Sequence, residues 1–135
     1  MSLDKRFDDI RPYTNDEIPA AMKRLASEPL LDKVFSWLFP GQPVQDWRNK
    51  LRSVKSNLEL QERIMHPAAE SIIGQTMSGF SFSGENNLQK GTGTLYISNH
   101  RDIILDATLL LLILYRKGFP TAEVSFGSNL MQSQS

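Results

Sequence analysis

The sequence predicts an α/β protein: an N-terminal helical subdomain followed by the start of an α/β domain that contains a βαβ unit. Three observations predict it. Up to Ser78 the apolar residues recur at three- and four-residue intervals, the period of a helix face. Beyond Gly79 they alternate, or gather in short β-branched and aromatic stretches. Finally, an apolar segment at 103–117 lies between two such stretches. Strand, helix and strand then follow within about thirty residues, the order of parallel strands joined by a crossover. The expected division is 1–78, helical, and 79–135, the incomplete beginning of the α/β domain.

The first helix is expected after Thr14-Asn15-Asp16-Glu17, which has capping-box spacing, with Ile18, Ala21, Met22 and Leu25 at helical intervals. Pro29 suits the first turn of a second helix, which carries Leu30, Leu31, Val34, Phe35, Trp37, Leu38 and Phe39. The last four of its aromatic and leucine side chains read as helix packing. Pro40-Gly41 stops it. A third helix runs from Pro43 to about Val54, with Val44, Trp47 and Leu51 on one stripe. Ser56 to Glu59 has capping-box spacing again and opens a longer helix to about Thr76, with a bend or break expected at His66-Pro67. Strands are expected at Phe80–Gly84, Thr94–Ile97 and Ala122–Phe126, a buried helix at Ile103–Lys117, and a turn at Gly127-Ser128-Asn129. Two parallel strands and a helix apolar on all sides need further cover. The chain therefore reads as the N-terminal part of a larger protein.

Fifteen Lys and Arg residues balance fifteen Asp and Glu in the 135-residue chain, so its formal net charge is zero. Nucleic-acid binders normally carry a strong basic excess, so no nucleic-acid partner is expected. The absence of cysteine removes disulfides, thiolate nucleophiles and Cys-based zinc sites. Only His66 and His100 supply imidazole, and no metal site is expected. The N-terminus is charged with no apolar core behind it, unlike a secretory signal. The longest apolar run, 103–115, is shorter than the about 20 residues that cross a bilayer. A cytoplasmic protein is expected, with a peripheral contact at the inner face of the membrane open to it. Arg48, Lys50, Arg52 and Lys55 beside Trp47 could make that contact with anionic lipid, although a solvated helix face with Trp47 in the core is the favoured reading.

Chemistry concentrates at Asn99-His100-Arg101-Asp102. A histidine between a strand and a helix stands where α/β proteins place their sites. The N-terminus of the next helix favours an anion there, and Arg101 adds a planar cation suited to phosphate. A carboxylate beside His100, from Asp102 or Asp106, would fix its tautomer and stabilise the imidazolium formed on proton abstraction. The plainer reading of Asp102 is a helix cap. His-Arg-Asp also occurs in the protein-kinase catalytic loop, but that pattern requires Asn five positions beyond the Asp. Ala107 stands there, and no Gly-rich phosphate loop precedes it.

The run Tyr96-Ile97-Ser98-Asn99-His100-Arg101-Asp102-Ile103-Ile104-Leu105-Asp106 resembles the first motif of the glycerolipid acyltransferases, which act on glycerol-3-phosphate or 1-acylglycerol-3-phosphate. The preceding helices resemble the N-terminal extensions of some bacterial members. The resemblance implies His100 as general base on the acceptor hydroxyl, Asp106 or Asp102 as its orienting carboxylate, and Arg101 and Asn99 as substrate-binding residues. It implies acyl-CoA or acyl carrier protein as donor, a glycerol-phosphate lipid acceptor, no cofactor, and a place in phospholipid biosynthesis. In the family four residues separate His from Asp; here five do, and Leu105 occupies the usual position. An extra residue turns a helical position by about 100°, so Asp106 reaches His100 only if the turn adjusts. The family's later phosphate-holding Arg and Glu-Gly blocks are not in this chain. The rival expectation is a non-catalytic binding or scaffold module with a degenerate acyltransferase motif; a third, a hydrolase, would release fatty acid without an acceptor.

Overall fold

The computed structural model describes residue 6 and residues 8–125. Contacts divide the chain between Gly79 and Phe80 into two compact units. The first holds α1 (Ile18–Leu25), α2 (Leu30–Leu38), α3 (Val44–Arg52), α4 (Asn57–Leu60) and α5 (His66–Thr76). At the start of α1 the Glu17 carboxylate reaches back to accept from the Thr14 amide at 2.8 Å, one half of a capping box. The other half differs, because the Thr14 hydroxyl donates to Glu17 at 3.1 Å. Arg11 grips the same carboxylate through two bonds of 2.8 Å. That guanidinium, with the Thr14 amide, holds the Glu17 carboxyl down at about 2.

The core of this unit gathers Ile18, Met22, Phe35, Trp47, Leu51, Val54 and Ile64. The Trp47 ring stacks on Phe39 with centroids 3.5 Å apart, and its indole N–H donates to Gln42 at 3.0 Å. Trp37 departs from the expectation of helix packing: it is 53% exposed, on the outer face of α2. The basic run also divides. Arg48 is buried; it donates to Asp32 at 2.8 Å, to the Glu28 carbonyl at 3.0 Å and to the Ala26 carbonyl. Lys50 sits 3.9 Å over the Trp47 ring, while Arg52 and Lys55 are exposed.

The second capping box is again half formed, with the Ser56 hydroxyl accepting from the Glu59 amide at 3.1 Å. The expected break at His66-Pro67 is replaced by a π-helical turn at Gln61–Met65 that runs straight into α5. The His66 amide bonds the Gln61 carbonyl, five residues back. In an α-helix the ring of Pro67 would press on the carbonyl of Arg63, and the wider turn relieves that contact. Farther along α5, Ser71 and Gln75 donate to the Leu38 carbonyl at the end of α2, one of the acceptors a helix C-terminus leaves open.

The second unit is built on α6 (Leu105–Arg116). Here the expected α/β class and its βαβ unit are overturned: among the described residues there is no β-strand. Residues 80–84, 94–97 and 122–125 form no ladder, and Leu95 and Ile97 are 84% and 87% exposed. Phe126, the turn at Gly127-Ser128-Asn129 and the residues after it lie outside the described residues. Alternation records only that a segment suits a pleated surface; a strand forms only where a neighbour supplies its hydrogen bonds. Phe80 and Phe82 instead lie 6.0 Å apart, beneath Arg116 and Lys117 at the end of α6. That helix closes in a Schellman motif: Gly118, at φ +70°, donates to the Tyr115 carbonyl and Phe119 to that of Leu114. Among the described residues no helix is long and apolar enough to cross a membrane.

Candidate functional site

The first turn of α6 sits on two carboxylates. Asp102 Oδ1 accepts from the amides of Ile104 at 2.9 Å and Leu105 at 2.7 Å, an Asx-type turn that caps the helix. Asp106, already inside the helix, sends Oδ2 back to accept from the amides of Arg101 at 2.6 Å and Asp102 at 2.9 Å. The same Oδ2 lies 3.2 Å from His100 Nδ1. Asp106 is therefore the carboxylate at the imidazole, and Asp102 is occupied as the cap. The 100° offset expected from the extra residue does not arise. Because α6 begins at Leu105 and not at Ile103, residues 101–104 form a turn that absorbs it.

The amides of Asp102 and Arg101 hold the Asp106 carboxyl below the usual carboxylate range, and His100 adds to the effect. With Nδ1 turned to a carboxylate, Nε2 is the ring nitrogen left for other partners. The imidazole is largely exposed, while the Asp106 side chain is mostly covered. The sequence reading places an anion at the N-terminus of this helix. Four amides there, those of Arg101, Asp102, Ile104 and Leu105, already serve the protein's own carboxylates.

His100 and Asp106 line a groove of about 770 Å³. Its floor includes Ala107, Leu110 and Leu111 of α6, and its sides are 94–98 and 121–125. No backbone hydrogen bond joins those two sides among the described residues. Asn99, Arg101 and Asp102 do not line the groove; all three are exposed at its margin. The groove also contains Ser98, which the sequence places in the polar stretch before His100, and Glu123 and Ser125, which it places on the third expected strand, none with a role of its own. Their signal was the clustering of polar residues at the ends of two apolar stretches. Among the described residues no group of three or more His, Asp or Glu side chains is arranged to hold a metal ion.

No protein-family model matches the chain, and neither curated proteins nor solved structures give a significant match.

Proposed function

We propose that the protein transfers a fatty acyl group from an acyl-CoA or acyl carrier protein thioester to a hydroxyl of glycerol-3-phosphate or lysophosphatidate. The observation that carries this reading is the His100 Nδ1 to Asp106 Oδ2 contact of 3.2 Å in the lining of a groove that also includes Leu110, Leu111 and Val124. His100 Nε2 takes the proton of the acceptor hydroxyl as its oxygen attacks the thioester carbonyl carbon. The C–O bond forms, the C–S bond breaks, and the imidazolium returns the proton to the leaving thiolate. Asp106 stabilises that imidazolium. Arg101, exposed beside the histidine, suits the acceptor phosphate. Leu110, Leu111 and Val124 offer apolar surface to the acyl chain.

The test is release of free CoA from acyl-CoA, with and without glycerol-3-phosphate or lysophosphatidate, by the protein purified from its own cells. Acceptor-dependent release that drops at least about a hundredfold in His100→Ala supports the reading, in line with the usual contribution of a general base. Turnover unchanged by that substitution would sink it. A second reading is favoured by one observation: Asp106 already serves two backbone amides, so its place in the turn is explained without chemistry. In that reading the unit is a non-catalytic binding module, and no acceptor-dependent release occurs.

A further inference from the structure

In the glycerolipid acyltransferase motif the aspartate stands one residue nearer to the histidine than Asp106 stands to His100, yet here the two side chains meet. We infer that Asp102 is a positioning residue, whose carboxylate folds 101–104 into the turn that lets Asp106 reach His100 across five intervening residues. The inference rests on the functional reading above for its significance, but its geometry stands alone. The Asp102 side chain holds the amides of Ile104 and Leu105 and so fixes where α6 begins. Its own amide, with that of Arg101, then lands on Asp106 Oδ2, the oxygen that faces Nδ1. Each carboxylate thus holds the backbone that carries the other. Without the Asp102 acceptor, the amides of Ile104 and Leu105 lose their partner and the turn is free to open. Asp106 then leaves the ring.

A cap acting only on helix stability would not select a ring tautomer, and this difference supplies the test. In the arrangement described, neutral His100 carries its proton on Nδ1, facing Asp106, and leaves Nε2 bare. Imidazole ¹⁵N shifts in the ¹⁵N-labelled protein, recorded at a pH where the ring is neutral, report that tautomer directly. His66, whose Nε2 lies 3.2 Å from Glu70 Oε1 in the other unit, serves as an internal reference. The expected result is an Nδ1–H signature for His100 in the parent protein, its loss in Asp102→Ala, and its retention in Asp102→Asn, whose carbonyl oxygen still accepts both amides. The His66 signals should stay in place throughout. An unchanged Nδ1–H signature in Asp102→Ala overturns the inference, as does its loss in Asp102→Asn. Because nothing turns over in this experiment, a failed acyl-transfer assay would leave the positioning role standing, and a failed tautomer test would leave the general base standing.

Discussion

The two units handle apolar helices differently. In the first, α2 and α3 turn Phe35, Trp47 and Leu51 into a shared core, and the charged group that comes inside, Arg48, meets an acceptor in every direction it points. In the second, α6 is leucine-rich on all sides, yet only Leu112 and Leu114 of that helix are buried, and a groove lined by His100 runs beside it. A closed core serves stability, whereas half-buried leucines beside an open groove leave apolar surface available for a ligand.

Cavity-forming substitutions give the largest contrast. Trp47→Ala removes the ring stacked on Phe39 and should destabilise the first unit by about 3–5 kcal/mol, seen as a lower urea midpoint with Trp37 fluorescence as probe. Leu114→Ala should weaken the second unit by only about 2–3 kcal/mol, near the low end for buried leucine, since half-buried neighbours can settle into the space. Amide exchange along α6 would measure that loss. An equal or larger effect for Leu114→Ala would mean that the second unit is as tightly closed as the first.

A smaller effect sharpens the account of Arg48. Arg48→Ala strips the carbonyls of Ala26 and Glu28 of a donor and should lower stability by about 1–3 kcal/mol. Asp32→Ala should cost no more than about 1 kcal/mol, because that carboxylate is 65% exposed and solvent screens it. Urea denaturation of the two variants side by side checks the order. If Asp32→Ala proved the worse, the ion pair and not the carbonyl contacts would be the main restraint.

The smallest effect is read against pH. Folding lowers the Glu17 carboxyl from an ordinary 4.5 to about 2. Its contribution is therefore fully present above pH 4.5 and is lost as pH falls through about 2, below which both states are protonated. The difference in denaturation midpoint between the parent protein and Glu17→Gln should shrink across that window and vanish below it. A difference that stays constant down to pH 2 would detach α1 from its Arg11 clamp.

What could be read in the sequence was what is local. The spacings Thr14 to Glu17 and Ser56 to Glu59 locate helix starts because the groups that pair lie within one turn of each other. Period alone could not say which face of α2 turns inward, so Trp37 and Phe35 looked equivalent although one is exposed and the other buried. The strands were misread for a deeper reason: their hydrogen bonds depend on a neighbour that no local pattern supplies. His100 and Asp106 were visible as residue types. Their meeting was obscured by the assumption that α6 starts at Ile103, which would have carried Asp106 round the helix. Asp102, which its place before a helix marks as a plain cap, accepts from the amides of Ile104 and Leu105 at the start of α6.

The π-helical turn at Gln61–Met65 has a consequence for how this chain would align with others. Such a turn is equivalent to one inserted residue in an α-helix, and it advances everything after it by about 100°. Ser71 and Gln75 meet the end of α2 in the phase that the insertion sets. A homologue one residue shorter in this stretch would present different positions of α5 to the same carbonyl. Gaps placed there, and not at Pro67, would keep equivalent faces in register.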